Sequence, residues 1–538
     1  MRAQFACADS WRALLVAFVL LPGLAVPRTA QTQSAESPVS PSVRALGDGP
    51  EATPGATQRK SPASRRTPKR TPVRTARAAT LGSAFSSPRS AEALNQTLGS
   101  ILHSSTRSGQ WGVLVMSVTR GDTLYAEQPD RLLKPASTMK LMTTAVALEK
   151  FGPDHTFETR ALTDNNGGKV IGNLYLQGGG DPTLSLRFWQ GESPMDVLAK
   201  QIAAAGVERI GGDVIADESA FDSERIPVGW KSSYLMSAYA APVSALSLNE
   251  NVVWVVTRPG DNNNALVELD PPSTAIPLTS TVKVVGGSGG RILARYNGAG
   301  IQVSGTIGAQ SGPRRYGLVV HEPPVFAAGA LLASLEQVGV KVDGTVRAGV
   351  APANAVAIAE LHSLPLANIV SYMNRESINH FAELLFRDAA HESGKQGTAR
   401  NGLETLREFL VAKTGARRDD IRVADGSGLS EADSLTARTM VQLLSYAHHA
   451  PWGSTFHASL PVAGESELLR RRMRATPAQG NLHAKTGTTN SVISLAGYVT
   501  ALNGEVLAFA FIYNGADRWS AKSAMDRMGP TLANFHRD

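Results

Sequence analysis

Ser137 and Lys140 are the side chains of this chain best placed by their spacing to share a proton, and they lie in the string "KPASTMKLMTTAVALEKFGPD". Pro135 at its start and Gly152 near its end predict a helix, on which residues three apart share one face. Apolar residues surround that helix, which indicates burial. Burial disfavours the charged form of lysine, and a neutral lysine can be the base that activates a serine nucleophile. The free N–H groups at the helix start offer a site for an oxyanion.

The Ser-x-x-Lys pattern is weak on its own, because Ser280 and Lys283 also match it. That second match lies in the alternating string "STVKVV", which predicts a strand. Residues three apart on a strand face opposite sides. We therefore assign no chemistry to Ser280 and Lys283.

Two Ser-x-Asn strings could supply a second hydroxyl and an amide. Ser377 and Asn379 stand immediately before a predicted helix in "NRESINHFAELLFR". They either serve a cleft, by passing protons and holding a substrate carbonyl or the lysine, or simply cap the helix. Ser247 and Asn249 lie in "SALSLNEN", where a turn or a packing role is expected.

The letters AKTG occur twice, and their neighbours separate the two occurrences. The first, at 412–415, ends an amphipathic helix, where a lysine followed by glycine is ordinary capping. The second, at 484–487, contains Lys485, Thr486 and Gly487, is followed by Thr488, and precedes strand-forming residues. A lysine and hydroxyls along a sheet edge can receive a carboxylate, and Gly487 leaves room for a ligand backbone.

Other catalytic and metal-binding patterns find no support. Ser288 in "GGSGG" is expected to join two strands as a hairpin, whereas a nucleophile elbow joins a strand to a helix. His448 and His449 lack partners at ligand spacing, and the sequence contains no H-E-x-x-H string, calcium loop or Walker motif. We therefore expect neither a metal nor another cofactor.

The N-terminal residues indicate where the protein acts. Among 538 residues the only cysteine is Cys7, in a leader, residues 1–30, in which Arg2 and Arg12 precede "ALLVAFVLLPGLAV". This apolar run is shorter than the roughly 20 residues of a membrane span, which favours a secretory signal peptide over an uncleaved anchor or a buried helix. A periplasmic or other extracytoplasmic protein without disulfides is expected.

Residues 31–80 form a tail rich in Ser, Pro, Thr and Arg that cannot build a core. The net charge of the chain is +7, yet 12 basic and 4 acidic residues precede Leu81, so the remainder carries a net charge of −1. The basic character belongs to the tail and gives no support to nucleic-acid binding. A solvated tether is one interpretation of the tail, and weak contact with lipid headgroups or anionic envelope polymers is the other.

The elements that must position these groups fall into two kinds of region. In 81–155 and 351–538, helical strings alternate with predicted strand pairs, such as "WGVLVMSVT" with "TLYAEQ" and "SLAGYVT" with "EVLAFAFIYN". Residues 156–350 are rich in strands, with two predicted helices followed by the similar strings "GVERIGGDV" and "GVKVDGTV". We expect an α/β fold of the α+β kind, an antiparallel sheet flanked by helices, interrupted by an insertion of two small domains.

The ordered motifs Ser137-x-x-Lys140, Ser377-x-Asn379 and Lys485-Thr-Gly resemble those of the penicillin-recognising serine enzymes. Their spacing is similar to that of the class C low-molecular-mass penicillin-binding proteins, a family of D-alanyl-D-alanine carboxypeptidases and endopeptidases with two extra domains between the first two motifs. The strings "GGGDPTLS", "APVSALSLNEN", "DGSGLS" and "KTGTTNSVISLAGYV" extend the resemblance over most of the chain after the tail. It implies a transpeptidase-like catalytic domain.

This resemblance also implies an acyl-transfer mechanism. Ser137 would attack the carbonyl between two D-amino acids, with Lys140 as the general base. Ser377 would relay the proton to the leaving amine, and Asn379 would orient the substrate amide and the lysine. Ile378 departs from the family pattern, since some members carry an acidic residue there.

The remaining groups would hold the charged parts of the substrate. Lys485 and the hydroxyls of Thr486 and Thr488 would bind the terminal carboxylate, and the N–H groups of Ser137 and Thr488 would form the oxyanion hole. Peptidoglycan is the implied substrate, and β-lactam antibiotics are the implied covalent inhibitors. Two alternatives stay open, a β-lactamase or esterase with the same serine and lysine, and a catalytically idle wall-binding protein.

Overall fold

The computed structural model describes residues 85–164, 168–189 and 191–538. All of them fall within one compact unit, Ala79–Asp538. The expected signal peptide at 1–30 and the basic tail at 31–80 lie outside the described residues. Within the described ranges, no helix combines the length and the hydropathy of a membrane span.

The fold begins with the segment that carries the Ser-x-x-Lys motif. Ser90 starts the first helix by accepting a hydrogen bond from the N–H of Ala93. The second strand runs antiparallel to the first, with a bulge between Val115 and Met116, so the predicted hairpin is confirmed. The elements of this segment are α1 (Ala91–His103), β1 (Gln110–Ser117), β2 (Thr123–Glu127), the 3-10 turn Ala136–Met139 and α2 (Lys140–Phe151).

The middle of the chain contains most of the strands. Its elements are β3 (Glu158–Thr163), β4 (Val170–Ile171), β5 (Leu174–Gly178), α3 (Pro194–Ala204), β6 (Arg209–Ile210), β7 (Val214–Asp217), β8 (Val252–Pro259), β9 (Ala265–Asp270), β10 (Leu278–Ser280), β11 (Lys283–Val285), β12 (Ile292–Asn297), β13 (Gly300–Gly308), β14 (Arg314–Val319), α4 (Pro323–Gln337), β15 (Lys341–Val342), β16 (Val346–Ala348) and β17 (Val356–His362). The first and last of these strands pair antiparallel, with Glu158 opposite His362. The two ends of the middle segment therefore lie side by side.

The final segment starts with helices and ends with three strands and a helix. Its elements are α5 (Leu366–Glu376), α6 (Asn379–Glu392), α7 (Ala399–Thr414), β18 (Ile421–Arg422), β19 (Ser434–Leu435), α8 (Ala437–His449), α9 (Gly453–Ala458), β20 (His483–Thr488), β21 (Val492–Thr500), β22 (Val506–Asn514) and α10 (Arg518–Ala533). The hydroxyls of Thr398 and Thr436 cap the starts of α7 and α8. Gly415 ends α7 in the left-handed conformation, with a φ of 70°.

A five-stranded antiparallel sheet joins the first and final segments, in the order β2-β1-β22-β21-β20. Its β21 and β22 form the predicted hairpin. One face packs against α2 and the helices α5 to α9, around residues such as Leu385 and Leu444. The other face is covered by α1 and α10, with Leu98 and Met528 in the core. Because both faces are covered, the sheet gives firm support to residues at its β20 edge.

The middle segment has its own apolar core and several smaller sheets. They are β16-β7-β5-β3-β17, β15-β6-β4, β14-β8-β9, and β10-β13-β11 with β12 also on β13. The two similar strings form matched strands, since β6 pairs parallel with β15 and β7 pairs parallel with β16. Ser288 joins β11 to β12, but the expected hairpin is wrong. β13 is long enough to pair with β12 along 300–305 and with β11 along 306–308, so those two strands do not pair with each other.

Leu507→Ala is expected to destabilise the fold, because Leu507 is fully buried in β22 on the face that α1 and α10 cover. Removing a buried leucine side chain costs about 2–5 kcal/mol of unfolding free energy. Leu502→Ala is the matched control, since Leu502 is 60% exposed between β21 and β22, and it should cost about 0.5 kcal/mol or less. Urea denaturation followed by tryptophan fluorescence measures both. Equal losses would contradict this description of the core.

Candidate active site

Ser137 lies in the 3-10 turn that leads into α2, and its side chain is partly exposed. The preceding residue, Ala136, has a φ of 48°, a left-handed conformation that a non-glycine residue keeps only where its surroundings enforce it. Two hydroxyl groups hold Ala136 in this conformation. Oγ1 of Thr138 and Oγ of Ser494 both donate to the carbonyl of Pro135, at 2.7 and 2.6 Å. The turn is thus fixed to β21 while Ser137 stays accessible.

Two glycines let the backbone approach this turn closely. A Cβ at Gly487 on β20 would lie 2.2 Å from Oγ of Ser494 and 3.0 Å from the backbone nitrogen of Ser137. A Cβ at Gly428 would lie 1.9 Å from the carbonyl oxygen of Ala136. Gly487 is therefore required by atoms of the protein itself, in addition to any room that it leaves for a ligand.

Lys140 is the first residue of α2, and its side chain is completely buried. Its Nζ lies 3.2 Å from Oγ of Ser137, and it donates to Oδ1 of Asn379 at 2.6 Å and to the carbonyl of Ser427 at 2.8 Å. Burial lowers the pKa of Lys140 to about 8, although the charge of Asp425 opposes this shift. Part of the amine is therefore neutral near physiological pH, as a general base requires.

Buried carboxyl groups on α6 and in the "DGSGLS" loop lie near this amine. Asp425 accepts hydrogen bonds from the N–H groups of Gly428 and Ser430 at 2.6 and 2.8 Å, and these contacts hold the loop in shape. Trp230 of the insertion donates its Nε1 to the same carboxylate at 2.7 Å. Burial and the nearby Asp425 raise the pKa of Glu383 to about 8. These acids oppose the effect of burial on the lysine.

Ser377 and Asn379 lie at the junction of α5 and α6. Ser377 ends α5 in the left-handed conformation, with a φ of 62°, and Ile378 packs partly buried against the helical core. Nζ of Lys485 donates to Oγ of Ser377 at 2.9 Å. No side chain caps α6. Both polar side chains of the motif contact a lysine instead, Asn379 through Lys140 and Ser377 through Lys485.

The Lys-Thr-Gly-Thr string lies on β20, at the edge of the sheet. Lys485 is completely buried, and its Nζ also donates to the carbonyl of Thr486 at 2.9 Å. Burial and, to a smaller extent, the charge of Lys140 lower the pKa of Lys485 well below its ordinary value. Thr486 is partly buried and Thr488 is exposed. Neither hydroxyl has a hydrogen-bond partner among the described residues, so both are available to a ligand.

The other motif copies lie elsewhere. Lys413, at the end of α7, forms an ion pair with Glu149 at 2.9 Å. Ser280 ends β10 and Lys283 begins β11, so that pair belongs to two separate strands. Ser247 donates to a backbone carbonyl of its own turn. In the described ranges, no cluster of three or more His, Cys, Asp or Glu side chains is placed to hold a metal ion.

Two contributors to the site were not predicted. The carbonyl of Ser427 receives Lys140, and the "DGSGLS" string shows only a turn signal, an aspartate followed by glycines. The second is the carbonyl of Tyr239 in the insertion, which accepts a hydrogen bond from Nδ2 of Asn379 at 2.9 Å. No local pattern around Tyr239 indicates this contact.

The chain is similar to several known proteins. A family model for the D-Ala-D-Ala carboxypeptidase 3 (S13) family matches residues 94–535. A D-alanyl-D-alanine carboxypeptidase of Actinomadura sp. (strain R39) is 36% identical over 445 residues, which cover 79% of this chain and 81% of the relative. The D-alanyl-D-alanine carboxypeptidase DacB of Haemophilus influenzae is 25% identical over 437 residues, which cover 79% of this chain and 89% of the relative.

Solved structures show the same fold. The crystal structure of penicillin binding protein 4 (dacB) from Haemophilus influenzae matches with a TM-score of 0.67 and 22% identity, over 81% of this chain and 98% of that one. The expected fold of a penicillin-recognising serine enzyme is confirmed. Because the family model spans most of the chain, the protein belongs to the D-Ala-D-Ala carboxypeptidase 3 (S13) family and is a serine-type carboxypeptidase.

Proposed function

We propose that this carboxypeptidase removes the terminal D-alanine from peptidoglycan stem peptides through an acyl-serine intermediate. The observation that carries the proposal is the placement of two buried lysines, one on each serine: Lys140 contacts Ser137, and Lys485 contacts Ser377. The first lysine suits a base because its pKa is lowered to about 8. The second lysine lies beside two available threonine hydroxyls and can bind a substrate carboxylate.

Acylation begins with proton transfer. Neutral Lys140 takes the proton of the Ser137 hydroxyl as Oγ bonds to the carbonyl carbon between the two D-alanines. The carbonyl oxygen becomes an oxyanion, which the N–H groups of Ser137 and Thr488 stabilise by about 3 kcal/mol each. Asn379 orients the substrate amide and holds the lysine amine, which its Oδ1 already contacts at 2.6 Å.

Release of D-alanine requires a proton on the leaving amine. Ser377 relays to this amine the proton that Lys140 took from Ser137, the C–N bond breaks, and the acyl group stays on Ser137. Lys485, Thr486 and Thr488 hold the carboxylate of the leaving D-alanine. A bound carboxylate raises the pKa of Lys485, so the lysine is charged when substrate is present. Water then attacks the acyl carbon while Lys140 accepts its proton, and Lys140 passes that proton to Oγ of Ser137 as the ester C–O bond breaks.

The proposed location follows from the N-terminal sequence and the substrate. Residues 1–30 have the pattern of a signal peptide, and peptidoglycan lies outside the cytoplasmic membrane, so we infer an extracytoplasmic, periplasmic enzyme. β-Lactams present an amide and a carboxylate at similar spacing and are the proposed covalent inhibitors. For the tail at 31–80, weak contact with anionic polymers or lipid headgroups stays a proposal.

Ser137→Ala should abolish the activity, because Ser137 carries the only hydroxyl among the described residues that contacts Nζ of Lys140. Digestion of purified peptidoglycan and separation of the muropeptides should show loss of terminal D-alanine with the unmodified protein and none with the variant. Conversion of cross-linked dimers to monomers would add an endopeptidase activity. Intact-mass analysis with penicillin should show one adduct, which Ser137→Ala loses and the matched variant Ser280→Ala keeps. An adduct on Ser137→Ala would contradict the assignment.

The acylation rate should rise with pH through about 8, the value to which burial lowers the pKa of Lys140. Only the neutral amine can accept the serine proton. The rate constant should therefore increase about tenfold per pH unit below that pKa and level off above it. Stopped-flow acylation by a chromogenic β-lactam between about pH 6 and 9 measures this limb. A rate that stays constant over this range would exclude Lys140 as the base.

Lys485→Met should reduce kcat/KM for a peptide ending in D-Ala-D-Ala, because the substrate carboxylate loses a charged hydrogen-bond donor. Such a contact is worth about 1.5–3 kcal/mol, which corresponds to a loss of about ten- to a hundredfold. Lys413→Met changes the same residue type within the same four letters and should leave kcat/KM unchanged, since Lys413 pairs with Glu149 instead. Similar losses in both variants would contradict the assigned carboxylate site.

A further inference from the structure

A cavity of about 510 Å³ lies between the end of α6, the end of α2 and the insertion strands β3 and β5. It is separate from the catalytic cleft. Helix α6 starts at Asn379 in the active site and reaches the cavity at Asp388, which is about 13 Å further along the helix axis. None of the groups assigned to the reaction lines this cavity.

Asp388 is a buried carboxyl group without a counter-charge. Its residue is 4% exposed, and its Oδ2 has no hydrogen-bond partner. Gly180 of the insertion packs directly on it, since a Cβ there would lie 2.0 Å from Oδ1 of Asp388. Asp181 adds a second buried carboxyl, held by the N–H and hydroxyl of Thr183 at 2.7 Å. Two such groups without a cation are costly to bury.

The cavity wall adds negative charge. Glu392 is the last residue of α6, lines the cavity and has no ion-pair partner among the described residues. Glu158 and Arg160, both on β3, pair with each other. The permanent positive charge of the wall is therefore already matched, and the carboxyl groups of Asp388 and Glu392 are left without a cation.

Aromatic rings form another side of the cavity. The rings of Phe151 and His155 stack with centroids 4.6 Å apart, and the edge of Phe157 meets His155 at 4.9 Å. Ring faces attract organic cations and also accept aliphatic carbon. The wall thus offers apolar contact beside uncompensated carboxyl groups.

We propose that this cavity binds a ligand with an aliphatic primary ammonium group, which pairs with Asp388 and Glu392 while its carbon chain lies on Phe151 and Phe157. The ammonium supplies the counter-charge that the protein itself does not. Because the cavity is lined by both α6 and the insertion, the ligand also bridges the two parts of the fold. This inference goes beyond the proposed function and does not depend on it.

Binding should release a proton. Burial and the nearby Asp181 raise the pKa of Asp388 well above its ordinary value, so its carboxyl group holds a proton when no cation is present. An ammonium favours the ionised carboxylate, and affinity should therefore increase as pH rises. The charged and titratable groups that face Asp388 or the cavity are Asp181, His155, Glu158, Arg160, His391 and Glu392.

The experiment compares n-hexylammonium with 1-hexanol, its neutral counterpart, on the full chain by isothermal titration calorimetry. The ammonium stays charged between pH 6 and 8, since aliphatic amines titrate near about 10. It should bind about tenfold more tightly than hexanol at pH 8, and less tightly at pH 6. Asp388→Asn should remove the preference, and Glu392→Gln should reduce it about threefold.

Asp419→Asn is the matched control, because Asp419 is exposed and does not line the cavity. Equal affinities for the two ligands, or a preference that survives in Asp388→Asn, would overturn the proposal. If Asp388→Asn does not fold, the exposed Glu392→Gln carries the test, and an unchanged preference there overturns it. Penicillin acylation of the same samples should be unchanged, which separates this inference from the proposed function.

Discussion

The complete burial of the Lys140 amine is the constraint on which the catalytic arrangement depends. Burial alone would favour the neutral amine strongly. Three contacts, from Ser137, Asn379 and Ser427, satisfy its hydrogen-bonding capacity. Nearby carboxyl groups oppose the shift, so the pKa settles at about 8. The proposed site therefore depends on a balance of desolvation and charge, and the contributing groups come from the turn at Ser137, from α6 and from the "DGSGLS" loop.

Close backbone packing makes that burial possible. The residue before the nucleophile and the first residue of the Ser-x-Asn motif, Ala136 and Ser377, both have left-handed backbones. Gly428 and Gly487 bring the "DGSGLS" loop and β20 into contact with the nucleophile turn, where any side chain would collide. Strained or crowded backbone of this kind persists only when the surrounding structure enforces it. Here the enforcement comes from a sheet covered on both faces and from the hydroxyls of Thr138 and Ser494.

The insertion takes part in the site as well as extending the fold. Its first strand, β3, pairs with β17, which follows the expected end of the insertion at residue 350. The segment between β7 and β8 contacts residues around Lys140, with Trp230 on Asp425 and the Tyr239 carbonyl on Asn379. Toward the other end of α6, the contact between this helix and the insertion contains the buried carboxyl group of Asp388. Changes in the packing of the insertion would therefore shift the groups that contact Lys140.

The motifs, their order and the type of most elements could be predicted from the sequence. Its periodicity separated the strand at Lys485 from the helix end at Lys413, and it predicted two of the three hairpins of the main sheet, β1–β2 and β21–β22, because these signals depend on neighbouring residues. Only the tertiary structure decided that Ser427 and Tyr239 supply carbonyls to the site, that Gly487 adjoins the nucleophile turn, and that β11 and β12 do not pair. Those contacts join residues distant in the chain. The pKa of Lys140 likewise depends on burial and charges from several elements, which exist only after the chain has folded.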